Sequence, residues 1–340
     1  MAAFHSCLLC ETVQLAIDDH VLILNSAEDE FVTMAAQQIP RGRLILAEDN
    51  LAALSRFEQS RERNAPGAYE HIPFHEYTVH AAPATIDIAV MNILYQPGNA
   101  WIHYGLQLAR YALKPGGHLY VTGAKDRGIL SVTKRMQESF GNVETVMISK
   151  GRRVVCSRKD ETLVRGEVQV VKPMLTPFAD GDLDEGTRLL LEALEVHATD
   201  VALDIGCGAG YIGMHIAHLA RKGQVTMVDT SLAAVDVARH RVEQSGLTNV
   251  QVLPSDGIQA VRSQRFDLVA TNPPFHLGGV QTTETAQRFI REAAQVLRPR
   301  GRFYLVANRF LKYEPVMRAN FKMVEEVGGD TKYKVLRGLI

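Results

Sequence analysis

The chain is poor in cysteine, in net charge and in long apolar runs, and each shortage narrows the possibilities. Four cysteines in 340 residues, at Cys7, Cys10, Cys156 and Cys207, are too few and too scattered for a disulfide framework. Cys7-Leu-Leu-Cys10 has the spacing of a metal knuckle but no second pair to complete four ligands, so buried thiols and no metal are expected. The 37 basic against 38 acidic side chains leave a net charge of -1, which excludes a global basic field and leaves a local basic face open. No apolar run reaches the ~18 residues of a membrane span, and the first residues lack the basic lead-in of a signal peptide. A soluble, reduced, cytoplasmic protein without a membrane partner is expected. The length suits two domains, each with its own core.

What is present is an alternation of short apolar runs and amphipathic stretches. In the first half, Val21–Leu24, Arg43–Ala47, Ile86–Val90 and His118–Val121 read as strands buried on both faces. Glu28–Gln38, Leu51–Arg61 and Trp101–Leu113 between them have helical spacing, and Lys114-Pro115-Gly116-Gly117 reads as a turn from helix to strand. Asn25-Ser26-Ala27-Glu28-Asp29-Glu30 follows the first strand with no glycine and with three carboxylates, which would repel a phosphate. This half therefore reads as a sheet domain without a nucleotide site in the usual place. Lys159–Asp182, rich in Pro and Gly, reads as an ordered connector containing a short strand at Val168–Val171, with the boundary near Asp160.

The second half opens with a helix over Leu183–Val196. The strand Val201–Ile205 then runs into Gly206-Cys207-Gly208-Ala209-Gly210 and a helix from Tyr211 to Ala220. Such a loop brings free helix N–H groups close to a ligand, and Tyr211 stands where a dinucleotide fingerprint would want its third glycine. The next strand ends at Asp229, about twenty residues on, where a carboxylate can accept both hydroxyls of a ribose. Asp256, after a third strand at Asn249–Leu253, is a candidate acceptor for an adenine amino group. A fourth strand, Phe266–Ala270, leads into Thr271-Asn272-Pro273-Pro274-Phe275-His276, where two prolines force the strand to end. An amide, a proline carbonyl and an aromatic ring at that rim are the parts needed to hold a planar amine.

The halves repeat one another. Arg41–Leu54 aligns with Lys222–Val235, 181 positions on, and Ile86–Tyr95 aligns with Phe266–Phe275, 180 positions on. Gly206, Gly208 and Gly210 fall opposite non-glycines, and both prolines fall opposite Ile93 and Leu94. A repeat this long is a domain duplication in which the first copy kept the core and lost the site.

Together, Asp204-Ile205-Gly206-Cys207-Gly208-Ala209-Gly210, Asp229 and Asn272-Pro273-Pro274-Phe275 resemble the class I S-adenosylmethionine-dependent methyltransferases that act on amino nitrogen. With a degenerate copy ahead, essentially the whole chain resembles the bacterial ribosomal RNA guanine-N2 methyltransferases. The resemblance implies an α/β fold of two tandem Rossmann-like domains. The first, 1–160, would be degenerate and serve RNA recognition, and the second, 161–340, would be catalytic. Each would be a mostly parallel doubly wound sheet with an antiparallel final strand. It implies S-adenosylmethionine bound by Asp204, Gly206, Gly208, Gly210, Asp229, Asp256 and Asn272. Catalysis would fall to Asn272 and Pro273, accepting the hydrogens of the guanine N2, and to Phe275, stacking on the base.

Phe178 and Asp184 resemble positions that close over the cofactor, with core packing and a helix start as the equal alternative for them. His276 stays open between touching the RNA and simple solvation. The expected partner is ribosomal RNA or a ribosomal subunit, and the expected state a monomer. Basic residues at Arg61, Arg63, Lys150 to Arg153, Arg158, Lys159 and Arg298 to Arg302 are candidate RNA contacts. Two other substrates share the Asn-Pro-Pro chemistry, a glutamine side chain of a protein and the N6 of adenine. The duplicated first half and Phe275 favour guanine in RNA.

Overall fold

The computed structural model describes residues 8–64, 68–160, 183–274, 276–277, 280–281 and 283–340. Val168–Val171, Phe178 and Phe275 lie outside the described residues. The chain divides into two compact units, Met1–Leu175 and Thr176–Ile340, somewhat beyond the boundary near Asp160 that composition suggests.

The first unit holds strands β1 (His20–Leu24), β2 (Arg43–Glu48), β3 (Tyr69–Pro73), β4 (Ile86–Asn92), β5 (Leu113–Ala124), β6 (Glu144–Ser149) and β7 (Arg152–Arg158) in one sheet of order β3-β2-β1-β4-β5-β7-β6. The second unit holds β8 (Val201–Ile205), β9 (Gln224–Asp229), β10 (Val250–Pro254), β11 (Phe266–Thr271), the short hairpin β12 (His276–Leu277) and β13 (Val280–Gln281), then β14 (Leu297–Asn308), β15 (Met323–Gly329) and β16 (Tyr333–Leu339). Its main sheet runs β10-β9-β8-β11-β14-β16-β15, the same order element for element. In each sheet the first five strands are parallel, while β7 and β16 pair antiparallel to β5 and β14. β6 and β15 close each sheet as antiparallel edges, which the apolar pattern alone does not announce.

The duplication extends to the register. Val21 faces Ile88 as Ala202 faces Leu268, and His20 faces Arg43 as Val201 faces Gln224. Gly42 and Gly223, 181 positions apart, both lie so close to a preceding loop that a Cβ would meet a carbonyl oxygen, of Asp19 or of Asp200, at 1.9 Å. Only glycine fits such a backbone approach, so the same packing constraint persists in both copies. One detail departs from the sequence reading. Lys114-Pro115-Gly116-Gly117 is carried inside β5 as an irregularity between the pairs Ile86–Leu113 and Ile88–His118, rather than as a turn ahead of the strand. Arg298-Pro299-Arg300-Gly301 does the same in β14, with Arg300 at φ 68°.

Period-two alternation assigns the strand residues of the second unit to its two faces. Leu203, Ile205, Val228, Val269, Phe303 and Leu305 pack on one side with the helix Glu284–Val296 through Phe289, Ile290 and Ala293. Ala202, Val225, Met227, Leu268, Ala270 and Tyr304 pack on the other with Ile212 and Ile216 of the helix Tyr211–Leu219. By that alternation Asp204 shares the face of Ala202, inside the apolar layer. Cys156 and Cys207 are buried as expected, whereas Cys10 is only half-buried. Among the described residues no helix is long and apolar enough to cross a membrane.

Candidate active site

The carboxyl edge of the second sheet gathers most of the residues singled out above. Gly206, Gly208 and Gly210 carry φ angles of 72°, 52° and 87°, the left-handed region that side chains resist. The N–H groups of Gly206 and Cys207 both donate to Val228 O, at 2.9 and 3.0 Å, tying the loop to β9. A Cβ on Gly208 would meet nothing within 4 Å, so this glycine borders open space. Gly213, which spacing alone dismisses as too late for a dinucleotide motif, is structural. A Cβ there would lie 2.1 Å from Met227 Sδ, and its N–H donates to Asp204 Oδ2 at 2.9 Å.

Asp204 is wholly buried, and its Oδ1 has no hydrogen-bond partner. Burial, partly offset by the Gly213 bond and reinforced by the charge of Asp229, pushes its pKa up to about 7. Asp229 ends β9, accepting from Gly208 N at 2.8 Å through Oδ2 and from Ser231 N at 2.9 Å through Oδ1. Its pKa is also raised by burial, against the pull of its backbone bonds. The cap of the following helix is Ser231, whose Oγ accepts from Ala234 N, so Asp229 is not needed there. Cys207 lies beside these carboxylates with its thiol pushed well up by burial and by their charge, which keeps it protonated.

Ser255 N donates to Asp229 O at 2.8 Å and so sets Asp256 next to the rim. Asp256 Oδ1 takes a 2.6 Å ion pair from Arg288, whose guanidinium also lies 5.5 Å from the Phe289 ring. The carboxylate is therefore braced from a helix 32 residues on, a partner nothing in the local sequence suggests.

Thr271 is buried and donates its hydroxyl to Ile205 O at 2.7 Å, joining the end of β11 to the start of the glycine loop. Asn272 follows, half-buried, then the buried Pro273. The Asn272 Nδ2 donates to Thr187 Oγ1 at 2.9 Å and to both oxygens of Asp184 at 3.3 Å. Asp184 caps the helix Glu185–Ala193, accepting from Thr187 N at 3.1 Å, and it also takes the Thr187 hydroxyl proton. With a carboxylate and a committed hydroxyl oxygen as neighbours, the amide must present its NH2 to them. Its Oδ1 is thereby left facing the other way as an acceptor. By sequence, Asp184 is open between a cofactor contact and a helix start. The structure makes it a cap and the orienting partner of Asn272.

The first unit shows what a filled version of this rim looks like. Glu48 stands where Asp229 does and accepts from Ala27 N, the counterpart of Gly208 N, at 2.9 Å. Gln96 Nε2 donates to Leu24 O, Asn25 O and Asn92 O at 3.1 to 3.2 Å. Asn92, the counterpart of Asn272, donates to Asp29 at 2.8 Å, and Asn25 Oδ1 accepts from Asp49 N. Five buried polar side chains thus satisfy one another and the backbone around the crevice.

A seven-stranded sheet of this order, with a glycine loop after β8 and an acidic residue ending the adjacent β9, defines a class I S-adenosylmethionine-dependent methyltransferase. The family model described as Methyltransferase small domain matches residues 171–337. Ribosomal RNA small subunit methyltransferase C of Shewanella loihica is 32% identical over 272 residues, covering 75% of this chain and 78% of that protein. Its counterpart in Shewanella pealeana is 28% identical over 345 residues, 96% of each chain. Among solved structures, the T. thermophilus 16S rRNA N2 methyltransferase in complex with AdoMet and guanosine superposes with a TM-score of 0.83 at 28% identity, covering 98% of this chain and 91% of that one. The chain belongs to the ribosomal RNA small subunit methyltransferase C family.

Proposed function

We propose that this chain methylates the exocyclic N2 of a guanine in 16S ribosomal RNA, with Asn272 and Pro273 as the residues that hold the reacting amine. The observation that carries the reading is the fixed orientation of Asn272, whose Nδ2 is committed to Asp184 and Thr187. The cofactor fits the residues present. The open space beside Gly208 admits it, and Asp229 keeps lone pairs for ribose hydroxyls beyond those used by Gly208 and Ser231. Asp256, with Oδ1 occupied by Arg288, offers its second oxygen to the adenine amino group.

When bound, S-adenosylmethionine supplies a methyl group on a positively charged sulfur, whose departure as a neutral thioether demands no strong acid. A guanine N2 is a poor nucleophile because its lone pair is delocalised into the ring. Acceptance of its two hydrogens by Asn272 Oδ1 and the Pro273 carbonyl concentrates that lone pair on nitrogen and fixes the plane of the base. Orientation then supplies most of the remaining acceleration. Phe275, next in the chain, is the residue proposed to stack on the base.

The first unit, with its crevice filled, is proposed to serve recognition, and the enzyme to work in the cytoplasm as a monomer. Incubation with labelled cofactor and undermethylated small-subunit RNA, free and assembled, followed by nucleoside analysis, tests the reading. N2-methylguanosine is expected. Label in protein, or appearing as N6-methyladenosine, would overturn it.

A further inference from the structure

We propose that Arg288 sets the preference of the cofactor site for an aminopurine over an oxopurine, by pinning Asp256 so that one carboxylate oxygen faces the adenine amino group. The inference rests on the adenine contact proposed above for Asp256 and adds the residue that makes that contact selective. Asp256 lies in the loop after β10, its side chain 13% exposed, with Oδ1 taking the 2.6 Å bond from Arg288 Nη2. The loop is also fixed from within, since Ser255 Oγ donates to Gly257 O at 2.8 Å and accepts from Ala260 N at 3.1 Å. Arg288 Nη1 lies 3.8 Å from Glu292 Oε1, one turn further along the helix. Glu292 presses against the same loop, because a Cβ on Gly257 would meet its Oε2 at 2.2 Å. That Oε2 is buried and finds no hydrogen-bond partner among the described residues. Burial pushes the Glu292 pKa up, against the pull of Arg288 and of the Ile258 N–H. The three charged groups are thus held together at a cost in desolvation. The neighbouring Phe289 reaches the glycine loop, where a Cβ on Gly206 would meet its ring at 3.3 Å. One helix therefore braces both Asp256 and the glycine loop.

The first unit shows that the fold does not need this arrangement. Glu48 pairs with Pro73 as Asp229 pairs with Pro254, which puts His75 where Asp256 stands. Ile86 pairs with Leu113 as Phe266 pairs with Leu297, which puts Tyr104 where Arg288 stands and Leu108 where Glu292 stands. The Tyr104 hydroxyl donates to His75 O at 3.1 Å, and Leu108 is wholly buried. The copy without a glycine loop thus anchors the same segment by its backbone, with an apolar residue behind. The copy with the glycine loop instead holds the side chain of that position. The chemistry follows from that difference. A pinned carboxylate oxygen accepts from the amino group of adenine but meets the carbonyl oxygen of an oxopurine lone pair against lone pair. An oxopurine also offers an N–H one atom further round the ring, which a carboxylate free to turn could reach. Arg288 denies Asp256 that turn, so it is a positioning residue for selectivity and not only for affinity.

The test is calorimetry on the full chain with S-adenosylhomocysteine and S-inosylhomocysteine, its oxopurine analogue. Wild type should prefer the adenosyl compound by roughly a hundredfold, and Arg288→Gln should lower that preference about tenfold. In Arg288→Gln the KM for S-adenosylmethionine should rise about tenfold, more than kcat falls, with KM for the RNA little changed. Arg288→Lys keeps a cation between the carboxylates and should restore part of the preference. Because the preference is a ratio of two dissociation constants on one sample, a partly unfolded variant still reports it. A purely structural role for Arg288 would weaken both compounds equally. An unchanged ratio in Arg288→Gln therefore overturns the proposal while leaving the adenine contact standing. Asp256→Ala should abolish the preference. A preference that survives Asp256→Ala would remove the adenine contact and the proposal with it, without touching the methyl transfer.

Discussion

Replacing Asn272 by Asp isolates the orienting role of Asp184 from the acceptor role of Asn272 itself. The side chains are isosteric, and the new carboxylate could still accept hydrogens from an amine. It would, however, stand 3.3 Å from both oxygens of Asp184 in place of an NH2 that donates to them. Two like charges at that distance repel by about 1.3 kcal/mol in a water-like dielectric and about 5 kcal/mol at an effective value of 20. Asp184 is exposed, so the lower end applies, and about 1 to 2 kcal/mol is expected. Asn272→Asp should therefore reduce kcat roughly five- to thirtyfold beyond any change in acceptor strength, with cofactor affinity nearly intact. Asp184→Asn alone removes the charged acceptor but keeps the cap, and should cost only a few-fold. The double variant, Asn272→Asp with Asp184→Asn, restores a donor facing a carboxylate and should recover most of the lost kcat. A double-mutant cycle on kcat, with calorimetric cofactor binding in parallel, measures this. Additive losses in the cycle would refute the claim that Asp184 orients Asn272.

Asp204 gives a pH test. Its folded pKa of about 7 lies above its ordinary 3.8, so its contribution to stability is fully present below about pH 4 and is lost as pH rises through 7. Asp204→Asn should lack that loss. Its stability relative to wild type should grow between pH 5 and pH 8 by about 2.7 kcal/mol, read by denaturant unfolding of the cofactor-free chain. A difference independent of pH would sink the assignment. In the first unit, Gln96→Ala leaves the carbonyls of Leu24, Asn25 and Asn92 without their shared donor. A cost of roughly 2 to 4 kcal/mol is expected in the unfolding of that unit, with kcat and cofactor affinity unchanged. A matching loss of cofactor affinity would mean that the first crevice, not only the second, takes part in binding.

Much of the fold was legible because it is written in short-range signals. The buried runs of β1 and β2 are continuous stretches of aliphatic residues, those of β4, β8 and β9 are broken only by Asp87, Asp204 and Thr226, and Pro273-Pro274 ends β11 by removing its donors. The repeat made the second sheet a check on the first. The edge strands were less legible because β6 leaves Val146 and Ile148 exposed, so no inward pattern marks it. The common placement of Asp204, Gly206, Gly208, Gly210, Asp229 and Asn272 at one sheet edge was legible from spacing, because each lies at a strand end or in the loop that directly follows one. The partners of Asn272 and Asp256 could not. Asp184 and Asn272 are 88 residues apart, Arg288 and Asp256 are 32 apart, and nothing local distinguishes these from surface charges. The Asp184-x-x-Thr187 spacing does predict a helix cap, which is half of what those residues do.

The degenerate copy shows how little backbone change the loss of a site required. Asn25 holds φ 47° where Gly206 holds 72°, so the left-handed turn survived the loss of glycine, at a residue type that tolerates it. What changed is the side chains around that turn. Ile23 stands in register where Asp204 does, replacing a buried carboxylate whose Oδ1 is unpartnered by an apolar residue that needs no partner. Gln96 and Asn25 then supply donors and acceptors to carbonyls and N–H groups around the crevice. The active copy keeps an unsatisfied carboxylate oxygen and an open loop, features that destabilise a free protein. The inactive copy has converted the same positions into ordinary core and a closed polar network. The contrast supports the cofactor role proposed for Asp204 and the space beside Gly208, since the fold of the first unit stands without either.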